Sequence, residues 1–193
     1  MRNVFAFFAL AIVATPLPLQ AFAQANGEAV VAKADTQLDS LFSDLKRERN
    51  EKAAERLASR IWEAWYRSGS ASVDLMMLWS QQALEAKKFD VALDFLDQVV
   101  TLQPQYAEGW NRRATVHFLM QNYRKSMADI ERTLELEPRH FGALSGMAQI
   151  MALTDHDELA LQAWQRVLDI YPMLRNAQNE VSRLSEELAG EGI

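Results

Sequence analysis

An all-α solenoid of repeated helix–turn–helix units is the fold class that this chain of 193 residues predicts. Three observations carry the prediction. Pro104, Pro138 and Pro172 lie 34 residues apart, and each closes the same phrase: Val99-Val100-Thr101-Leu102-Gln103, Thr133-Leu134-Glu135-Leu136-Glu137, Val167-Leu168-Asp169-Ile170-Tyr171. A period of that length corresponds to one helix–turn–helix unit. Large and small residues also recur in register. Met76, Trp110 and Leu144 open a first-helix stripe, followed by Trp79, Arg113 and Met147, then by small Ser80, Ala114 and Ala148. In the second helix, small Ala92, Ser126 and Ala160 precede Leu96, Ile130 and Trp164 by four residues. Antiparallel helices approach closely only where small residues meet, with large ones filling the gaps beside them. The composition agrees, with 49% hydrophobic and 24% charged residues, 7 Gly, 5 Pro and no Cys. Such a chain is neither disordered nor stapled by disulfides.

The elements follow in order. Arg2 precedes an unbroken apolar run from Val4 to Ala14, Pro16 and Pro18 break it, and Ala21-Phe22-Ala23 offers small residues at A-x-A spacing. Residues 1–23 therefore predict a secretory signal peptide. The run is too short for the roughly 20 apolar residues of a membrane-spanning helix. Cleavage is expected after Ala23 or, through Ala23-Gln24-Ala25, after Ala25. Loss of Arg2 takes the formal charge from -6 to -7. The product is expected to be soluble outside the cytoplasm, without a stable membrane anchor. Residues 24–38 lack periodicity and predict a mobile leader. Residues 39–72 predict a degenerate helix pair, with Ala58, Trp62 and Trp65 in second-helix places but Lys46 where the first helix wants a small residue. Full units are expected over 73–106, 107–140 and 141–174, turning at Lys87-Lys88-Phe89-Asp90, Gln121-Asn122-Tyr123 and Thr154-Asp155-His156-Asp157. Residues 175–193 predict a capping helix and tail. Ala177, Val181, Leu184 and Leu188 lie on its apolar face, with Glu180, Arg183, Glu186 and Glu187 around it, as an end unit requires.

The chain resembles the tetratricopeptide-repeat family. The central unit carries the likeness best, with Trp110, Ala114, Tyr123, Ser126, Ile130 and Pro138 in the family's places. It departs at Arg113, often Leu, and at His117, often Tyr; in the next unit Asp157 stands where an aromatic is usual. The resemblance implies a right-handed solenoid and an exported envelope protein of Gram-negative, particularly alphaproteobacterial, type.

Chemistry is sparse along the sequence. No phosphate-loop, dinucleotide-binding, zinc-protease or hydrolase-elbow motif occurs. His117 falls on a core stripe, where a buried, hydrogen-bonded imidazole is expected. His140 follows the turn proline, and His156 within Asp155-His156-Asp157-Glu158 reads as a polar turn before a helix start. No enzymatic activity, metal or cofactor is expected. The acidic balance argues against nucleic acid and anionic membrane surfaces. Arg112-Arg113 and Arg124-Lys125 read as a solvated face with one snorkelling arginine. Trp62, Trp65, Trp79, Trp110 and Trp164 are expected to fill the core rather than stack on a ligand.

What remains is the concave surface, where first-helix spacings of 3 and 4 keep side chains on one face. These spacings select Asp74, Met77, Gln81 and Leu84, then Glu108, Asn111, Thr115 and Phe118, then Gly142, Ser145, Gln149 and Ala152. The degenerate unit would add Ser40, Ser43, Arg47 and Asn50. The groove is mostly neutral, with Met77, Leu84 and Phe118 as apolar anchors. A known variant of the repeat grips a C-terminal carboxylate with basic residues and Asn from successive first helices. Here the comparable places hold Met77, Gln81, Arg112 and Gly146, of which only Arg112 could serve, so that clamp is not expected. Two functions remain open. One is a non-catalytic scaffold holding an unidentified protein or peptide in the groove. The other is an accessory ligand-binding or cell-wall factor contacting glycan or a membrane-bound machine, which exposed Trp residues beside acids would favour.

Overall fold

The computed structural model describes residues 36–190. The expected signal peptide, most of the leader and the last three residues lie outside the described residues. Nine helices and no strand are present among the described residues: α1 over 36–47, α2 (Glu51–Trp65), α3 (Ala71–Glu85), α4 (Phe89–Leu102), α5 (Ala107–Leu119), α6 (Tyr123–Leu136), α7 (Phe141–Leu153), α8 (Asp157–Ile170) and α9 (Arg175–Gly190). The expected all-helical solenoid is what forms. Helices α3–α4, α5–α6 and α7–α8 are the three full units, and α9 closes the stack.

Local rules repeat with the sequence. The first helix of each unit ends on one residue in the left-handed region, Lys87 (φ 57), Gln121 (φ 59) and Asp155 (φ 58), again at intervals of 34. The residue after each donates its backbone N–H back across the turn: Lys88 to Ala83 (2.8 Å), Asn122 to His117 (2.9 Å) and His156 to Met151 (2.9 Å). This closure satisfies otherwise orphaned helix-end carbonyls. The proline turns take part as well. The Pro104 carbonyl accepts from Trp110 Nε1 (3.0 Å), and the Pro172 carbonyl accepts from Gln178 Nε2 (2.7 Å), so the register runs on into α9. Helix α9 buries Ala177 and Leu184 and leaves Glu186 and Glu187 in solvent.

Small residues set the close approaches. A Cβ on Gly109 would stand 2.7 Å from Val99 Cγ1, so α5 seats on α4 only because that position is glycine. Arg113 replaces an apolar core residue by a paired charge. Its guanidinium donates to Asp129 Oδ2 (2.9 Å) and Oδ1 (2.7 Å) and to Asp97 Oδ1 (2.8 Å), and it lies 4.8 Å from the Trp110 ring centroid. His117 is buried as expected, but its Nδ1 has no hydrogen-bond partner among the described residues.

The N-terminal pair departs from expectation. Helix is already present at 36–38, where the leader was expected to continue. More important, α2 does not stack ahead of α3 as a degenerate repeat would. Its buried face (Ala54, Ala58, Ile61, Trp65) joins the core of α7, α8 and α9, while the separate core of α3–α4 contains no α2 residue. From its N-terminus, α2 meets the starts of successive first helices in reverse order. Glu51 pairs with Arg175 at the start of α9. Trp65 stacks on His140 (4.0 Å between centroids, 8° between planes), and Trp62 lies edge-on to Phe141 (5.4 Å) at the start of α7. Past its end, the Tyr66 carbonyl accepts from the Tyr106 hydroxyl (3.1 Å) and the Ser68 carbonyl from Gln103 Nε2 (3.1 Å), just ahead of α5. Helix α1 is tied to the same edge, where Arg139 pairs with Asp39 (2.7 Å) and covers the Phe42 ring (4.2 Å). The pair is a strap along one edge of the stack.

With α2 diverted, none of the described helices stands in front of α3. Trp79, expected in the core, is 41% exposed and touches Phe95 (5.4 Å between centroids); Leu75 and Leu78 are exposed beside it. Trp164 and Trp65 are buried as expected, whereas Trp62 and Trp110 are half-buried.

Candidate functional site

The concave face is built by α3, α5 and α7, and the strap borders it along one edge. At the strap end lies a closed polar network around Glu108, which is 1% exposed. The Glu108 carboxylate accepts from Asn111 Nδ2 (2.9 Å) and from Arg112 Nε (2.8 Å), and its Oε2 lies 3.1 Å from His140 Nε2. His140 Nδ1 accepts the Ala143 backbone N–H (3.1 Å) and so caps α7. Nε2 must then carry the proton and donate to Glu108. Burial opposes the charge on Arg112, but the Glu108 carboxylate beside it holds the guanidinium pKa above its ordinary value. Arg112 also donates to Gln81 Oε1 and covers the Tyr66 ring of the strap connection (4.8 Å). Burial and the nearby Glu108 likewise push the Tyr106 phenol up. Two of the three guanidinium nitrogens of Arg112, Nε and Nη1, are thus committed within the chain, which disfavours a role as a carboxylate clamp.

Beyond the network a cleft of about 270 Å³ opens between α5 and α7, floored by Ser126 and Ile130 of α6. Asn111, Thr115, Phe118 and Leu119 form one wall, and Gly142, Gly146 and Gln149 form the other. The glycines make the α7 wall thin. At Gly142, a Cβ would meet Trp62 Cη2 at 2.6 Å, so that glycine is needed to seat the strap. Gln149 is exposed and makes no hydrogen bond among the described residues.

The groove residues selected from the sequence on α3, α5 and α7 divide accordingly. Asn111, Thr115, Phe118 and Gln149 come together around the cleft. Ser145 sits nearby but turns its hydroxyl onto the Phe141 carbonyl (2.7 Å). Three expectations need correction. Met77, expected as an exposed anchor, is buried in the α3–α4 core beside Leu96 and Val99. Glu108, expected to face a partner, is sealed by Arg112 and His140. Asp74 serves the strap connection, accepting from Ser68 N–H (2.9 Å) and Oγ (2.6 Å). Gln81 is half-buried against Arg112, and Leu84 is half-buried on the α3–α4 core. Sequence reasoning missed the cleft's depth, although two glycines four apart inside one helix were a signal for it. It also missed the diversion of Trp62 and Trp65. No cluster of His, Asp and Glu suited to a metal occurs among the described residues, and none of their helices is long and apolar enough to cross a membrane.

Comparisons with known proteins agree with this geometry. No family model matches the chain. A TPR repeat-containing protein of Rhizobium etli is 56% identical over 154 residues, spanning 80% of this chain and 76% of the relative. Among solved structures, the first TPR of Spaghetti (RPAP3) bound to the HSP90 peptide SRMEEVD superposes with a TM-score of 0.58 at 20% identity, covering 61% of this chain and 93% of that one. The TPR2B domain of yeast Sti1 in complex with pHsp70 superposes at 0.56 and 14% identity, covering 61% and 99%. At these identities the structures speak for the fold alone. The 34-residue register, the helix pairs stacked on it and the Rhizobium relative together place this chain in the tetratricopeptide-repeat family.

Proposed function

We propose that this protein is a non-catalytic interaction scaffold of the bacterial cell envelope, exported to the periplasm, which holds a segment of a partner protein in its concave face. The observation that carries the reading is the open α5–α7 cleft, which lies on that face beyond the closed Glu108 network. Two solved neighbours are described as peptide or chaperone complexes, which supports a binding role for a face of this build. The export half of the reading rests on the sequence of residues 1–23. No catalytic group is assigned.

A photo-crosslinking amino acid at Gln149, exposed and free of hydrogen bonds, tests the scaffold. It should join the protein to a discrete set of envelope polypeptides, whereas the same group at Glu186 on the outer cap should not. Identical patterns from both positions would defeat the reading. Sequencing the N-terminus of the fractionated protein tests export. A start at Gln24 or Asn26 in the periplasmic fraction is expected, and Met1 on a membrane-bound species would refute it. The exposure of Trp79 gives the cell-wall alternative one observation of its own. Sedimentation with purified sacculi that disappears in Trp79→Ala would favour it.

A further inference from the structure

The α5–α7 cleft contains no Asp, Glu, Lys or Arg in its lining. The charges beside it, Glu108 and Arg112, neutralise each other. A charged group entering would lose hydration and gain no counter-charge, whereas an apolar one would not. The volume of about 270 Å³ is below the roughly 300–1,000 Å³ of small-molecule sites and suits one side chain with its flanking peptide.

The polar atoms on the walls have a matching character. Asn111 is 8% exposed and spends Nδ2 on Glu108, leaving Oδ1 as an acceptor that no group among the described residues fills. Asn111 lines the cleft, so that acceptor can take a hydrogen bond from an entering N–H. Across the cleft, the Gln149 amide offers a donor and an acceptor. Together they suit the N–H and C=O of an extended peptide.

Gly146 is the telling position. Glycine is costly inside a helix, and three reasons for keeping one are absent here. The backbone of Gly146 is not in the left-handed region. A Cβ would meet only Ile130 Cδ1, at 3.4 Å, which is ordinary contact. Unlike Gly142, it seats no strap residue. What the missing methyl leaves is depth in the cleft.

We propose that this cleft accepts one bulky apolar side chain from an uncharged, extended segment of a partner protein, and that Gly146 sets its depth. The proposal rests on the scaffold reading and specifies its partner. Asn111 and Gln149 hold the segment's backbone, and Phe118 flanks the inserted side chain.

Chemical-shift titration of the full-length chain with three small probes tests it. N-acetyl-tryptophanamide should shift the Gly142, Gly146 and Phe118 amides saturably. N-acetyl-tryptophan, which carries a carboxylate, should bind at least about tenfold more weakly, and N-acetyl-alaninamide should leave those amides in place. Gly146→Ala should keep or raise the melting temperature yet weaken the tryptophanamide at least about threefold. Gly146→Leu should weaken it at least about tenfold. Equal binding of the two tryptophan derivatives, shifts confined to the Trp79 face, or undiminished binding by Gly146→Leu would overturn the proposal. Cross-linking from Gln149 separates it from the scaffold reading. Capture that survives Gly146→Leu removes the side-chain cleft and leaves the scaffold. Failure of every polypeptide to cross-link while tryptophanamide still binds removes the scaffold, and the proposal with it.

Discussion

Replacing Trp65 with alanine should show whether the strap belongs to the core. Trp65 is 7% exposed, stacked on His140 at 4.0 Å and packed against Phe141 (5.0 Å), Trp62 (5.1 Å) and Phe42 (5.8 Å). Truncating a buried tryptophan costs about 3–5 kcal/mol. Against that, Trp65 Nε1 is buried without a partner among the described residues, so the variant also sheds an unsatisfied donor worth about 1–3 kcal/mol. The net expectation is a loss of about 2 kcal/mol, or a melting temperature lower by about 4–8 °C for a chain of this size. Trp65→Phe keeps a ring on His140 and drops the orphan donor, so it should stay within about 1 kcal/mol of the parent. Urea unfolding followed by far-ultraviolet circular dichroism measures both. Because α2 touches α9, α7 and the approach to α5, the parent should unfold in one transition, and Trp65→Ala should broaden it or lower its slope. A loss below about 0.5 kcal/mol with an unchanged slope would refute the strap as a core element.

Three further outcomes follow from the packing. Gly142→Ala gains about 0.5–1 kcal/mol of helix preference but drives its methyl into the Trp62 ring, an overpacking cost of about 1–3 kcal/mol; thermal melting should therefore show a net loss, opposite in sign to Gly146→Ala. Arg113→Leu restores the residue usual in the repeat yet strands Asp129, 4% exposed, so denaturant unfolding should show a loss of about 3 kcal/mol that Asp129→Leu largely repairs in the double variant. Burial holds the His117 imidazole below its ordinary pKa, so below about pH 6.5 the unfolded chain takes up the proton first and stability falls with pH. His117→Leu should remove that component, seen as a smaller drop in urea midpoint between pH 7.5 and pH 5.

The periodic part of the molecule was legible because each unit repeats the same local solution. Pro104, Pro138 and Pro172 mark turns, and the small residues mark helix contacts, both set by neighbours within one repeat length. The strap was not legible for the complementary reason. Trp62 and Trp65 satisfy the spacing of a second helix whether they stack on α3 or on α7, and the pattern says only which face is apolar. Burial at Met77 and Glu108 escaped for a related cause. Spacing places both on the concave face, but the Arg112–Glu108–His140 arrangement that closes that face depends on residues 32 apart in sequence. The cleft was half-visible, since Asn111, Thr115, Phe118 and Gln149 follow from spacing while its depth follows from what Gly146 lacks.

The strap also bears on the order in which the chain can be made. An open array of such units can fold from its beginning, each pair docking on the one before. Here Glu51 waits for Arg175, 124 residues later in the chain. When α2 leaves the ribosome, its tryptophans lack their seat on His140 and Phe141, and they acquire it only when α7 has arrived. Contacts of such long sequence separation slow folding, and apolar surface uncovered in the interval invites association with whatever is near. The nascent protein should therefore present Trp62 and Trp65 to chaperones until α7 emerges, and a chain truncated before residue 140 should never withdraw them.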